Sequence, residues 1–479
     1  MHNEKVYTPY KIVDIILDEV GFNTINNIKN KHIIDNSCGN GNFIIKIVER
    51  IFEYVSNVNK IYLETYVHGI DIDEEAVDEC TKRLNEYCNS KGITDVNWDI
   101  RVSNALMDKS YVGKIDYVVG NPPYCKVHHL DKETYSILKK DFLFCKDSMT
   151  DLYIAFFEIG VKMMKEDNGK LGYITPNSWL TSKAANELRK YLVKAKKIKK
   201  VIDFKTDKVF QNATTFTNIT ILGNDDKQSV YYYNGDLKDY AFKKLHKFNN
   251  IEQAYFNEQL YFNEKLSKVK DIINYNSKDK LFSVKNGLAT LKDKLFILEY
   301  DELDTQMQYY VLLYNNSIID CVKASTGKSK FIIYPYNENG KPLNYEEISL
   351  LTRDILEKKA KDLEIDTAKK DWFLYGRTQA LNDVNKYKIS VNNIVRTKDD
   401  IRVCEAQKNV AVYSGFYVIR NDMEQTDEAS KELKTQIETA MKDNLFFEYL
   451  NVVGKPKNGG YYTFTTKDLE KYLNYFYQN

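Results

Sequence analysis

The chain has 479 residues, enough for two or three domains with separate cores. Hydrophobic residues make up 43% and charged residues 29%, an ordinary globular balance, and no apolar run approaches the ~20 residues of a membrane span. The formal net charge of +1 excludes an overall basic character, so any nucleic-acid binding has to rest on local patches.

The start, Met1-His2-Asn3-Glu4-Lys5, has no signal-peptide pattern, and the 7 cysteines show no paired metal-ligand spacing. No metal and no membrane are expected, and a reduced, cytoplasmic setting is. Thr8-Pro9 reads as a helix opening, with Thr8 as N-cap and Pro9 in the first helical position. Ile12, Val13, Ile15, Ile16 and Val20 give that helix an apolar face. Strands and helices then alternate: strand 32–35, helix 43–54, strand 66–72, helix 74–87, strands 98–103 and 117–120, helix 152–164, strand 171–175. Residues 201–204 and 216–222 read as an antiparallel pair. Such alternation implies a mainly parallel sheet with helices on both faces. Beyond about residue 245 the pattern changes to strands, such as 330–334 and 410–418, mixed with polar helices, among them 355–370. Domains over 1–245 and 246–479 are expected, with no internal repeat.

The stretch that carries most chemistry is Asn121-Pro122-Pro123-Tyr124, directly after the apolar run ending in Gly120. Two prolines restrict the backbone, so the Asn121 amide and the Pro122 carbonyl are held as fixed acceptors beside the Tyr124 ring. That combination suits a planar group bearing NH2. A plain Pro-rich turn at a strand end fits the four residues equally well.

Upstream, Asp35-Asn36-Ser37-Cys38-Gly39-Asn40-Gly41-Asn42-Phe43 joins a strand to a helix, and its two glycines allow close backbone approach to a ligand. The third glycine of the dinucleotide fingerprint is absent, so this signal is weak alone. The next strand ends in Asp71-Ile72-Asp73, where an acid can take ribose hydroxyls or cap the following helix. The third ends in Ser103-Asn104. Successive polar strand tips line one crevice, which fits a nucleoside-containing cofactor. Cys38 and Cys125 read as small packing residues.

The order Tyr7-Thr8-Pro9, Asp35 to Phe43, Gly69 to Asp73, Asn104, Asn121 to Tyr124, Asp151-Leu152-Tyr153 and Gly172 to Pro176 strongly resembles the gamma-class DNA adenine-N6 methyltransferases. These serve restriction–modification systems or act alone. The resemblance implies a Rossmann-like class I methyltransferase domain, with a seven-stranded sheet carrying one antiparallel strand, followed by an α+β target-recognition domain. It implies S-adenosyl-L-methionine as cofactor, held by Tyr7, Thr8, Asp35, Ser37, Gly39, Gly41, Asp71, Ile72, Asn104 and Asn121. Asn104 stands where the family usually has Asp, so that contact loses its charge. It further implies that an adenine flipped from duplex DNA presents its amino group to Asn121 and Pro122 and stacks on Tyr124. Pro123 and Phe216 are expected to face the DNA. A second aromatic is expected opposite Tyr124, at a position that falls on Leu222, with Phe216 or Phe210 as substitutes.

In the second half, Asn286 to Thr290 and Tyr375 to Leu381 resemble segments of target-recognition domains, and Lys292, Lys328, Arg377 and Arg396 are expected at DNA. The expected partners are double-stranded DNA and, in a restriction system, a cognate endonuclease; a monomer is expected. Rival readings are a protein-glutamine or RNA-base methyltransferase, and a non-catalytic specificity subunit. The large region after the cofactor loop disfavours the first pair, and intact Asn121 and Asp71 disfavour the other. A fused nuclease is not expected ahead of Thr8-Pro9.

Overall fold

The computed structural model describes residues 7–126, 129–146, 150–205, 207–210, 215–300 and 317–479. The chain divides into two compact units, Met1–Leu266 and Ser267–Asn479.

The first unit is built on strands β1 (Ile33–Asp35), β2 (Val67–Asp71), β3 (Asp99–Val102), β4 (Tyr117–Gly120), β5 (Lys170–Pro176), β6 (Ile198–Asp203), β7 (Thr217–Gly223), β8 (Val230–Asn234) and β9 (His246–Phe248). They form one sheet in the order β3-β2-β1-β4-β5-β7-β6-β8-β9. β7 runs antiparallel to β5 and β6, and β9 antiparallel to β8; the other neighbours are parallel. The fold class is as expected, but the sheet has nine strands rather than seven, and two of them are antiparallel. The additions rest on a short alternation, with Val230 and Tyr232 buried and Tyr231 exposed, and on Tyr232 stacking against His246 and Phe248. These strands, and the core residues Leu260 and Phe262, move the boundary from 245/246 to Leu266.

The helices are α1 (Tyr10–Val20), α2 (Ile25–Ile28), α3 (Asn42–Tyr54), α4 (Lys60–Tyr66), α5 (Glu74–Ser90), α6 (Lys132–Asp141), α7 (Leu152–Met163) and α8 (Asn186–Lys194). Strand residues alternate between two cores. Ile33, Tyr117 and Val119 join the core of α1 and α3, whereas Ile34, Val118 and Leu171 join that of α7 and α8. Each fully buried aliphatic side chain contributes about 1.5–3 kcal/mol, so this two-sided alternation fixes the strands in register. α1 begins one residue later than expected. Pro9 occupies the N-cap and no side chain caps the helix, which leaves Thr8 outside it.

At the amino ends of β1 to β3, His32 Nδ1 lies 2.9 Å from His68 Nε2, and His68 Nδ1 lies 2.6 Å from Asp99 Oδ2. Tyr111 and Arg101 also donate to Asp99. With Asp99 ionised, His68 donates to it and accepts from His32, an arrangement that a second imidazole proton would break. Burial, His68 and Lys165 hold His32 below the ordinary imidazole range. A lowered folded value means the contribution is complete above about pH 6.5 and is lost as pH falls below it. Acidification from pH 7 to pH 5 is therefore expected to lower Tm by a few degrees more in the wild type than in His32→Gln. Equal losses in scanning calorimetry would count against this.

In the second unit, β10 (Phe282–Asn286), β14 (Lys388–Val391), β15 (Val403–Ala406) and β17 (Phe416–Arg420) form one antiparallel sheet. A second sheet joins β11 (Ile297–Leu298), β12 (Ile318–Lys323), β13 (Lys328–Ile333) and β16 (Ala411–Tyr413). The expected single strand over 410–418 is thus two strands in different sheets. Ser414 has φ 56°, and a side chain at Gly415 would meet Ala324 Cβ at 2.5 Å. The expected helix over 355–370 is Leu350–Asp362, capped by Ser349.

Candidate active site

The order of the sheet reverses between β1 and β4, and the loops leaving these strands open a cleft of about 1340 Å3. Tyr7, Thr8, Asp35, Ser37, Gly39, Asp71, Ile72, Asn104, Asn121, Pro122, Pro123 and Tyr124 all line it. Asp35 and Asn121, 86 positions apart in sequence, are brought together because β1 and β4 pair directly, Asp35 beside Val119.

The loop after β1 is held from below and from the side. Asp71 accepts from Gly39 N at 2.7 Å and from Asp73 N at 3.0 Å, so the carboxylate expected at ribose also fixes the glycine turn. Asp73 caps α5 through Ala76 N. Asn36 is buried and accepts from the Tyr173 hydroxyl at 2.9 Å. The Ser37 hydroxyl donates to the Asn121 carbonyl at 3.3 Å and so ties the two loops together. Gly120 has φ +154°, and a Cβ there would stand 2.6 Å from Asp35 Oδ1. Gly120→Ala is expected to destabilise the protein by about 1–3 kcal/mol through this overlap. An unchanged urea midpoint would refute the close approach.

Gly41 was expected to touch the cofactor, but it is buried away from the cleft. A Cβ on it would meet Cys80 Sγ at 2.4 Å, so it is needed for packing loop against α5, at φ +86°. Cys38 is buried and its thiol is pushed up by Cys80 and burial, in keeping with a packing role. Asn104 Oδ1 accepts from Leu106 N at 3.0 Å. The oxygen assigned to a cofactor is thus already shared with a local turn. Ile72 is 71% exposed at the tip of β2, an apolar surface offered to the cleft.

Asp35 is fully buried. Burial pushes its carboxyl up to about 8, opposed by the Ser37 N–H, which donates to it at 3.0 Å, and aided by the charge of Asp71.

Asn121 Oδ1 is buried and has no hydrogen-bond partner among the described residues. A buried amide oxygen left unpaired costs about 1–3 kcal/mol, which marks it as an acceptor kept for a ligand. Tyr124 is fixed beside it. Its hydroxyl donates to the Ile174 carbonyl at 3.1 Å, and Tyr153 meets its ring edge-on at 6.3 Å. Leu152 N donates to the Cys125 carbonyl at 2.8 Å. The motifs around Asp151 and Gly172 therefore act as buttresses of the Asn121–Tyr124 loop.

Of the expected aromatics, Phe210 is the one beside Tyr124: the two rings meet edge-on at 6.4 Å and 74°, and Phe210 lines the cleft. Leu222 cannot do so. β7 is antiparallel to β5, so Leu222 pairs with Leu171 at the far end of the sheet and is buried there. Phe216 is not among the cleft residues; its carbonyl accepts from Asn177 N at 3.0 Å. The sequence reading missed His129, Lys126, Thr134 and Phe156, which also line the cleft. Isolated residues of these types carry no pattern that separates them from ordinary surface or core.

In the second unit the two singled-out segments meet: Gly376 N donates to Thr290 O at 2.9 Å and Gln379 Nε2 to Gly287 O at 2.6 Å. Lys292 donates to the Trp372 carbonyl at 2.8 Å, which gives it a structural tie rather than a free head group. Lys328, Arg377 and Arg396 are exposed, and Arg396 lies over the Tyr461 ring at 5.0 Å.

Residues 51–210 match the Eco57I restriction-modification methylase family. The chain is 24% identical to the Type II restriction enzyme and methyltransferase RM.Eco57I of Escherichia coli, over 76% of this chain and 47% of that protein. It is 24% identical to the Type II methyltransferase M.BstVI of Geobacillus stearothermophilus, over 72% of this chain and 69% of the relative. These matches bear out the methyltransferase resemblance. The methylase segment includes Asp71, Asn104 and the Asn121–Tyr124 loop, and the chain spans about half the length of RM.Eco57I. In fold, 95% of the chain is similar to 64% of the Type IIL restriction-modification enzyme MmeI, solved with DNA, at a TM-score of 0.58 and 13% identity. The DrdV–DNA complex is similar over 93% of this chain and 54% of that chain, at a TM-score of 0.55 and 13% identity. No helix among the described residues is long and apolar enough to cross a membrane.

Proposed function

We propose that the protein is a site-specific DNA adenine-N6 methyltransferase that uses S-adenosyl-L-methionine. The observation that carries this reading is the orphaned, buried Asn121 oxygen beside Tyr124, in the same cleft as Asp35, Asp71 and Ile72. The cofactor fits the donor set. Asp35 is a buried acid able to take the ammonium of its methionine part, Asp71 retains lone pairs for ribose hydroxyls, and exposed Ile72 offers an apolar face to the adenine. When bound, it supplies an electrophilic methyl group.

The chain's own residues do the rest. Asn121 Oδ1 and the Pro122 carbonyl accept the two hydrogens of the target amino group, which draws its lone pair out of the ring plane. Tyr124 holds the flipped base by stacking, and Phe210 closes the edge of that pocket. Catalysis is then positioning and electrostatics, with no covalent enzyme intermediate. A nucleophilic cysteine is not required, and burial raises the Cys125 thiol, which favours its protonated, unreactive form. The exposed residues Lys328, Arg377 and Arg396 are proposed to contact DNA from the second unit.

The test is incubation of the purified chain with methyl-labelled cofactor and duplex DNA of mixed sequence, followed by mass spectrometry of the nucleosides. N6-methyladenine in one sequence context is expected. Label in protein or RNA but not in DNA would overturn the assignment.

A further inference from the structure

At the other end of the first unit's sheet lies a separate cavity of about 370 Å3. Lys170, the first residue of β5, and Gly223, the last of β7, both line it, which places it at the ends of the strands opposite the cofactor cleft. Four lysines, Lys170, Lys199, Lys200 and Lys227, share it with the two carboxylates Glu19 and Asp225.

Both carboxylates are already engaged. Glu19 accepts from Lys200, from Lys243 at 3.2 Å and from the Tyr240 hydroxyl at 2.6 Å. Lys199 donates to the Asp225 carboxylate at 2.9 Å and to the Asp225 and Lys227 carbonyls at 2.8 and 2.6 Å, so its three donors are used within the fold. Lys170 donates to the neutral Val20 carbonyl at 3.0 Å, and among the described residues no carboxylate is within ion-pair distance of Lys170 or Lys227. Burial weakens the hold of Lys170 on its own proton; the charge of Asp225 opposes this, and those of Lys227 and Lys200 add to it.

An aromatic ring stands within this charge. Cross-strand register places Ile221, Lys200, Tyr231 and Lys247 in one row on one face of the sheet. Tyr231 is 39% exposed, lines the cavity and carries Lys247 Nζ over its ring at 5.9 Å. Lysines as point charges around a cavity with an aromatic flank suit a phosphate attached to a compact organic group.

We propose that this cavity binds the phosphate of a nucleotide, either free or within a DNA strand. Lys170 and Lys227 hold the phosphate, Lys199 fixes the Asp225–Lys227 turn beneath it, and Tyr231 flanks the sugar or base. The site is independent of the cofactor cleft and of the reaction assigned to it.

The experiment is titration calorimetry of the full chain at constant ionic strength. The probes are inorganic phosphate, ribose 5-phosphate, which lacks the adenine that the cofactor cleft would accept, and a short DNA duplex. Saturable ribose 5-phosphate binding is expected, weakened at least about tenfold in Lys227→Glu and in Lys170→Gln. Lys431→Glu, on a helix of the second unit, is expected to leave it unchanged. Parallel weakening of duplex binding, with a shallower salt dependence, assigns the phosphate to a DNA strand; unchanged duplex binding assigns it to a free nucleotide. No saturable binding of either small probe, or equal affinity in wild type and both variants, overturns the proposal. Lys227 is exposed, so folding of that variant is not in question.

Discussion

Asn121→Ala is expected to lower methyl transfer by about 10²–10³-fold or more while leaving cofactor affinity within a few-fold of the wild type. The reason lies in how the residue is held. Its backbone carbonyl takes the Ser37 hydroxyl, and that contact survives truncation of the side chain, so the link between the two loops persists. Its side-chain oxygen has no partner among the described residues, so its removal breaks no hydrogen bond among them. Truncation relieves an unsatisfied buried acceptor, and the variant should be as stable as the wild type or more stable, by up to about 1 kcal/mol. This sign separates a ligand-directed residue from a structural one, whose loss destabilises. Asn121→Asp keeps an acceptor oxygen and should retain more activity than the alanine variant. Single-turnover transfer rates, cofactor titration and urea unfolding on the same preparations check all three statements. A destabilised Asn121→Ala with weakened cofactor binding would move the residue from the reaction to the scaffold.

Cofactor binding is expected to release about one proton near pH 6–7, and Asp35→Asn is expected to abolish that release. Asp35 is buried, and burial raises its carboxyl to about 8. In the unliganded protein it is therefore neutral over most of the physiological range. A cationic ligand group beside it restores the ionised form, and the proton leaves. Two further consequences follow from the sign. Cofactor affinity rises with pH up to about 8 and then levels off. The unliganded fold carries a group whose folded value lies above its unfolded one, so this contribution to stability is complete below about pH 4 and is lost as pH rises toward 8. Asp35→Asn removes both slopes and is expected to weaken the cofactor by at least about tenfold, because a neutral amide cannot pair with an ammonium. Calorimetry in buffers of different ionisation enthalpy reads the proton count directly. A release that persists undiminished in Asp35→Asn would assign it to another group.

Much of the first unit was legible because its signals are local. Short unbroken apolar runs mark β1 and β4, which are buried at every position, and the loops that follow them carry residues with few other uses: paired glycines, Asp71 at a strand tip, two prolines after Gly120. The expected role of Asp73 as a cap also depends only on near neighbours. Where the reading failed, the deciding contact was distant in sequence. Gly41 looks like a ligand-loop glycine until α5 brings Cys80 against it. Lys292 looks like a DNA contact until the Trp372 carbonyl meets it.

The sequence by itself determined which chemical groups reach the strand tips, and through them the methyltransferase resemblance. Hydrophobic alternation and the stiffness of proline act within a few residues, so they are written in order along the chain. Only the tertiary structure decided that Phe210, not Leu222, stands by Tyr124, that the sheet continues to β9, and that lysines scattered between residues 170 and 227 gather around one cavity. Strand direction and cross-strand register settle such matters, and alternation encodes that a side chain is buried without encoding against what.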